Sequence, residues 1–139
     1  MSEVLVVAKA YAYVTRPTSE SSLLLFEHPH PDKGIQVPKG GIEDGEDPRE
    51  AVVRELREET GIDAHREVSF LAEDTWEHPE KQKRYRRHFF RVTVEDSRDE
   101  WVHTVTGSGS DAGDDYRCFF ADPTEVRVDA DMDDYLDRL

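Results

Sequence analysis

The sequence predicts an α/β (α+β) fold, a layered sandwich around a mixed β-sheet, as one domain over residues 1–139. Three observations lead there. Runs rich in Val, Leu, Tyr and Phe stand on both sides of one glycine loop that leads into a helix. A short amphipathic stretch follows the last of these runs. No repeat or internal boundary breaks the order strands, loop–helix, strands, helix, and such an order fits an α+β or α/β/α sandwich.

The elements follow in turn. Val4 to Thr15 reads as a long strand and Leu23 to Phe26 as a second, after a polar turn from Thr18 to Ser22. His28-Pro29-His30-Pro31 is a stiff connector; two histidines that close could hold a transition metal, but the prolines favour a loop. Ile35 to Pro38 leads into the loop of Gly40, Gly41 and Gly45. Asp47 is a good N-cap, Pro48 fits the first helical position, Glu50 completes a capping-box-like pattern, and Gly61 ends the helix. Val52, Val53 and Leu56 form its apolar stripe, with the acidic face lying roughly opposite part of it. Val68 to Trp76 and Tyr85 to Glu95 read as paired strands, with Trp101 to Val105 and Tyr116 to Phe120 as shorter ones around a flexible acidic loop from Gly107 to Asp115. Met132, Tyr135, Leu136 and Leu139 recur at helical spacing and predict a short C-terminal helix.

Composition narrows the function. The net charge of −14 argues against nonspecific nucleic-acid binding and describes a surface kept solvated under strong salt. No apolar run approaches the ~20 residues of a membrane span. The start, Met1-Ser2-Glu3, lacks the basic residues of a secretion signal, and the single cysteine, Cys118, reads as a buried core thiol, so a cytoplasmic location is expected. Of the 18 basic residues only five are lysine. Six basic residues and no acid fall between Lys81 and Arg91, which leaves −20 for the rest once those six charges are taken from −14. This run reads either as a strand offsetting the acidic background or as an anion-attracting wall. On a strand one of two alternating sets, Lys83/Tyr85/Arg87/Phe89/Arg91 or Arg84/Arg86/His88/Phe90, would face a cleft.

The strongest chemical signal is Glu55, Glu58 and Glu59 at relative positions i, i+3 and i+4. On a helix they share one face, where like charges repel. A divalent cation would relieve that repulsion, and carboxylate oxygens are the hard ligands that Mg²⁺ and Mn²⁺ prefer. Arg54, one turn before Glu58, can pair with it.

The full array runs Gly40, five residues, Glu46, seven residues, then Arg54-Glu55-Leu56-x-Glu58-Glu59-x-Gly61-Ile62. It resembles the Nudix box at every fixed position. That resemblance implies a Nudix-type α/β/α sandwich with the box as its loop–helix catalytic motif. It also implies a hydrolase that cleaves a pyrophosphate bond in a nucleoside diphosphate linked to another group, with Mg²⁺ or Mn²⁺ as cofactor. Carried over by position, Glu55, Glu58 and Glu59 would ligate the metal, with one of them or a distant acid as general base. Arg54 would orient a neighbouring glutamate, and the backbone carbonyl of Lys39 would be a further ligand. Family members often add an acid from a late loop; Asp111, Asp114 and Asp115 are the candidates, with Asp115 expected to ligate. Arg84, Arg86, Arg87, Lys39, Tyr85 and Trp76 are the expected substrate contacts.

The expected partner is a small nucleotide or polyphosphate, and family habit allows a homodimer. Val37-Pro38-Lys39-Gly40-Gly41 resembles the lead-in of dinucleoside polyphosphate and diphosphoinositol polyphosphate hydrolases. Pro79, seventeen residues past Ile62, keeps ADP-ribose open, as are oxidised nucleoside triphosphates. A reading of another class is a non-catalytic nucleotide sensor, which the intact acids disfavour.

Overall fold

The computed structural model describes residues 4–17, 22–63, 65–129 and 131–139. Its strands are β1 (Leu5–Thr15), β2 (Leu23–Glu27), β3 (Ile35–Gln36), β4 (Lys39–Gly41), β5 (His65–Glu77), β6 (Lys83–Val94), β7 (Glu100–Thr104) and β8 (Asp115–Ala121), with one helix, α1 (Pro48–Thr60). They form two four-stranded sheets, in the orders β4-β1-β6-β5 and β3-β2-β8-β7. The first sheet is mixed: β1 runs parallel to β6 and antiparallel to β4, while β5 and β6 are antiparallel. The second is antiparallel throughout. The α+β class and the mixed sheet are therefore present as expected.

Alternation sorts the core into two layers. Ala10, Ala12 and Val14 of β1 and Leu24 and Phe26 of β2 point towards α1, where they meet Val52 and Leu56. Tyr11, Tyr13, Leu23 and Leu25 point the other way and meet Val37, Phe89 and Met132. Both faces of β2, and of β1 from Ala10 to Thr15, are thus covered, which fits apolar runs rather than alternating ones there. Cys118 is buried in the α1-facing layer, as its aromatic neighbours indicated.

One element differs from expectation. Residues 131–139 form turns and a short 3₁₀ helix, Leu136–Arg138, instead of an α-helix. Met132, Tyr135, Leu136 and Leu139 still cover the second layer as their spacing required. Aspartate is a poor helix former and fills Asp131, Asp133, Asp134 and Asp137, and so short a segment has little helical stability of its own. Tertiary hydrogen bonds hold it instead: the Tyr13 hydroxyl donates to the Met132 carbonyl and accepts from the Tyr135 N–H.

Candidate active site

The helix that carries the glutamates is fixed at both ends. Asp47 Oδ1 accepts from the Arg49 N–H at 2.8 Å, and Gly61, at φ 79°, closes the last turn by donating to the Arg57 carbonyl. Carbonyls left over at a helix C-terminus need donors. Here β7 and the loop after it supply them: Trp101 Nε1 donates to Thr60, while His103 Nε2 and the Thr106 N–H donate to Glu58. These residues position the site, and nothing local in the sequence marked them, because they act across more than forty residues.

Arg54 ties loop to helix. Its Nε and Nη2 donate to the two Glu46 oxygens at 2.8 and 2.9 Å, and Nη2 also reaches the Gly41 carbonyl. Its Nη1 donates to Glu55 at 2.8 Å and to Glu58 at 3.2 Å. Glu46 in turn accepts from the Glu43 N–H. The bond from Arg54 holds Glu46 below the usual carboxylate range.

The three box glutamates differ in setting. Glu59 is 2% exposed and shares the buried stripe with Val52 and Leu56, seven and three residues before it, rather than lying opposite. Its Oε1 accepts from the Lys39 N–H at 2.7 Å, and burial raises its pKa well above normal. Burial also pushes Glu55 up to about 7, against the pull of Arg54. Two glycines leave room for these carboxylates. A Cβ on Gly40 would fall 2.0 Å from Glu55 Cδ, and one on Gly107 2.7 Å from Glu58 Cδ. Gly107 also has φ 96°, a backbone that side chains rarely adopt.

Two adjoining clefts open on the helix. One, of about 250 Å³, lies between Arg54, Glu55 and Glu58 and the loop that carries Thr106 and Asp111. The other, of about 410 Å³, reaches Glu55, Glu59, Gly40, Asp111 and Tyr116. The second is lined by Lys9, Lys33, Lys39, Lys81 and Lys83, which are all the lysines of the sequence. Burial, then the charge of Lys39, pushes Lys9 down to about 8. A larger cleft of about 690 Å³, between Thr15–Pro17 and β5/β6, holds one acid, Glu67, and lies apart from the box.

The expected substrate contacts divide. Tyr85 and Lys39 line the lysine cleft. Arg84, Arg86, Arg87 and Trp76 do not; strand pairing explains why. β5 sets Glu77 opposite Arg84 and Asp74 opposite Arg87. Arg84 pairs with Glu77 at 2.7 Å, and Arg86 with Glu73 at 3.5 Å. Arg87, 2% exposed, holds Asp74 and Asp134, and Trp76 Nε1 donates to Asp131. The Lys83/Tyr85 side of β6 faces the cleft, but only at the start of the strand, and Lys81 joins it from the connector before. Lys81 opens the basic run of the sequence, whereas Lys9 and Lys33 carry no signal of position there beyond the scarcity of lysine.

The late loop contributes Asp111, not Asp115. Asp111 lines both clefts and accepts from the Tyr116 hydroxyl at 2.8 Å. Asp115 opens β8, is exposed, and accepts from the Thr104 hydroxyl. Asp114 lies 3.5 Å from His28 Nε2, and His30 joins them in a cluster whose ligand atoms fall within 4.8 Å. The His30 N–H, however, donates to His28 Nδ1 at 3.1 Å. In a neutral ring that bond leaves the proton on Nε2, which faces Asp114.

The box residues fit a divalent metal. Glu55, Glu58 and Glu59 are hard oxygen donors, partly or wholly desolvated, on one helical turn beside glycines that leave space at two of them. Their carboxylates are divided between Arg54 and the Lys39 N–H rather than drawn to one point. Buried acids with raised pKa values are what a cation would relieve.

A cation-lined cleft against a carboxylate helix suits a phosphorylated ligand. The chain belongs to the Nudix family: the family model described as NUDIX domain matches residues 7–139. Over 37 residues the chain is 65% identical to an RNA pyrophosphohydrolase of Cereibacter sphaeroides, covering 27% of this chain and 22% of that protein. Over 27 residues it is 70% identical to Nudix hydrolase 25 of Arabidopsis thaliana, covering 19% of this chain and 15% of that protein. The matched segments thus span less than a quarter of those relatives. The structure of the E. coli dihydroneopterin triphosphate pyrophosphohydrolase superposes over 97% of this chain and 99% of that one with a TM-score of 0.69. At 12% identity that likeness is one of fold.

Proposed function

We propose that the protein is a hydrolase, dependent on Mg²⁺ or Mn²⁺, that cleaves a pyrophosphate bond in a small phosphoanhydride. The substrate is a nucleoside diphosphate linked to another group or a nucleotide polyphosphate. One observation carries this reading: Glu59 is buried beside Glu55 at the wall of a cleft whose other walls hold five ammonium groups. Acids and cations so placed serve a ligand that is itself an anion and needs a cation at its reactive end.

Glu55, Glu58 and Glu59 would hold the metal, with the Lys39 carbonyl, next to the N–H that binds Glu59, as a further donor. When bound, the metal neutralises phosphate oxygens and makes water a better nucleophile. The chain does the rest. Arg54 fixes Glu55 and Glu58 before substrate arrives, so little reorganisation remains for the reaction. One of the box glutamates, or an acid from outside the box, would take the proton from the attacking water. Lys39 and Tyr85 border the phosphates. Asp111, within the same cleft, is a second acid available to the site and replaces Asp115 in that role.

RNA, on which the relatives named RNA pyrophosphohydrolase act, is a competing substrate for this chain; its net charge of −14 favours the small anhydride. The test is phosphate release with Mg²⁺ from ADP-ribose, dinucleoside polyphosphates, nucleoside triphosphates and 5′-triphosphorylated RNA, with products weighed by mass spectrometry. Hydrolysis of a small anhydride at its bridge supports the reading. No turnover across the panel overturns it and favours a nucleotide sensor.

A further inference from the structure

The lysines gather in one place. The sequence has five, and all five line the cleft beside Glu59. Among the described residues no arginine lines it. Arginines are engaged elsewhere with acids: Arg84 with Glu77, Arg87 with Asp74, Arg117 with Glu27. Among the described residues no lysine ammonium is ion-paired. Lys39 Nζ donates to Gln36 Oε1 at 3.1 Å, and Lys9 Nζ lies 4.3 Å above the Tyr85 ring. The acids of the cleft offset these charges only in part: Glu59 attracts the charges of Lys39 and Lys9, while Glu55 is held by Arg54 and Asp111 accepts from Tyr116.

The described residues of the cleft also offer no open aromatic face. Lys9 covers Tyr85, whose other neighbours are Trp76 and His78, with ring centroids at 5.6 and 6.0 Å. Tyr116 stacks on Phe26 at 4.2 Å and is 2% exposed. The His28 ring is flanked by His30 and Tyr116. A base has nothing here to stack on.

We propose that this cleft binds its substrate through phosphate groups alone, and that the substrate is a compact oligophosphate with phosphates beyond the two that flank the broken bond. This rests on the hydrolase reading and narrows it. A metal at the box would already neutralise the two reacting phosphates, so the surplus of ammonium groups over acids in the cleft finds counter-charge in additional ones. Lysine suits such a ligand, because a point charge on a flexible stem meets phosphates at varied positions, where arginine demands a fixed fork. The cleft's five lysines and three acids, Glu55, Glu59 and Asp111, sum to +2, so with −14 overall the rest of the chain carries −16, which repels an extended polyanion such as RNA.

The test is a substrate ladder at fixed Mg²⁺: ADP-ribose, diadenosine tetraphosphate, diadenosine pentaphosphate, the guanosine counterpart of each, and a diphosphorylated inositol polyphosphate. KM is expected to fall about tenfold or more from ADP-ribose to the most phosphorylated substrate, and to change by less than about threefold between bases. The linear and ring-borne arms show which source is used. The double variant Lys33→Ala/Lys81→Ala is expected to raise KM for that substrate far more than for ADP-ribose. A flat ladder, a strong base preference, or preference for 5′-triphosphorylated RNA overturns the proposal. Calorimetric titration with inositol hexakisphosphate, which has no anhydride bond, separates it from the hydrolase reading. Binding that the double variant weakens about tenfold supports the oligophosphate cleft even where turnover is absent. No binding, or binding that the variant leaves unchanged, rejects it even where turnover is found.

Discussion

Two acidic triplets in this molecule live in opposite surroundings. Glu55, Glu58 and Glu59 ride on a capped helix; Asp131, Asp133 and Asp134 sit on exposed turns near the C-terminus, with carboxylate oxygens within 4.8 Å of one another. By convergence alone the aspartates look the better metal site. The glutamates are nonetheless the stronger candidates, because water already satisfies an exposed aspartate, and Arg87 and Trp76 engage Asp134 and Asp131. Glu59 is shut away from bulk solvent and accepts from one backbone donor. The density of acids in a sequence says little; the environment that deprives them of solvent says much.

The comparison can be broken most decisively by neutralising each triplet. Glu58→Gln and Glu59→Gln are each expected to lower kcat by about 10²–10⁴-fold while thermal unfolding stays cooperative. Asp131→Asn and Asp133→Asn should leave steady-state rates within about twofold. Equal losses at both places, or none at either, would remove the distinction.

Next comes a change that adds one methyl. Gly40→Ala forces the mobile end of Glu55 aside, since its Cδ lies 2.0 Å from the new Cβ. A side-chain tip moves cheaply, so Tm should shift by only a few degrees while kcat falls by about 10-fold to 100-fold. A large drop in Tm with normal specific activity would contradict that expectation.

Arg87 sharpens the other side of the contrast. Its charge is buried against Asp74 and Asp134, which are part-exposed, and against the rings of Tyr11 and Phe89. Arg87→Ala should cost about 2–3 kcal/mol in urea unfolding, discounted from a fully buried pair for the exposure of its partners. KM should remain near wild type. A large KM increase with intact stability would return Arg87 to the substrate site.

The smallest effect is in pH. Burial raises Glu55 to about 7 in the folded chain, above its unfolded value. Its contribution to stability is therefore fully present below the unfolded pKa and is lost as pH rises through about 7. In EDTA, the Tm of wild type relative to Glu55→Gln should fall across that window, and Mg²⁺ or Mn²⁺ should reverse the fall. A difference that is flat with pH, or unaffected by metal, would refute the assignment.

Local chemistry was legible in the sequence. Asp47, Pro48 and Gly61 bound α1 where their types required, and the Arg54–Glu58 pair is present. Strand runs were visible because β-branched and aromatic residues cluster in them. Partner choice was not. A period of two allows either face of β6 to meet the cleft, and only pairing with β5 reveals that Arg84 and Arg87 meet acids. The burial of Glu59 follows from its spacing to Val52, but a charge on an apolar stripe reads as an exposed residue until the loop that covers it is known. Asp111 rather than Asp115 enters the cleft because the loop turns before β8, a path that Gly and Asp content alone does not specify.

The central parallel pair carries a consequence for how the chain is made. β1 finds its long partner, β6, some eighty residues further on, with Leu5 opposite Lys83 and Thr15 opposite Thr93. A ribosome therefore releases a sticky, two-sided apolar ribbon well before its mate exists. Until then β1 has only the three residues of β4 as a ladder partner among the described strands, and its open edge invites pairing with other chains. Non-local pairing of this kind is slow to form and leaves the chain exposed to aggregation while it folds.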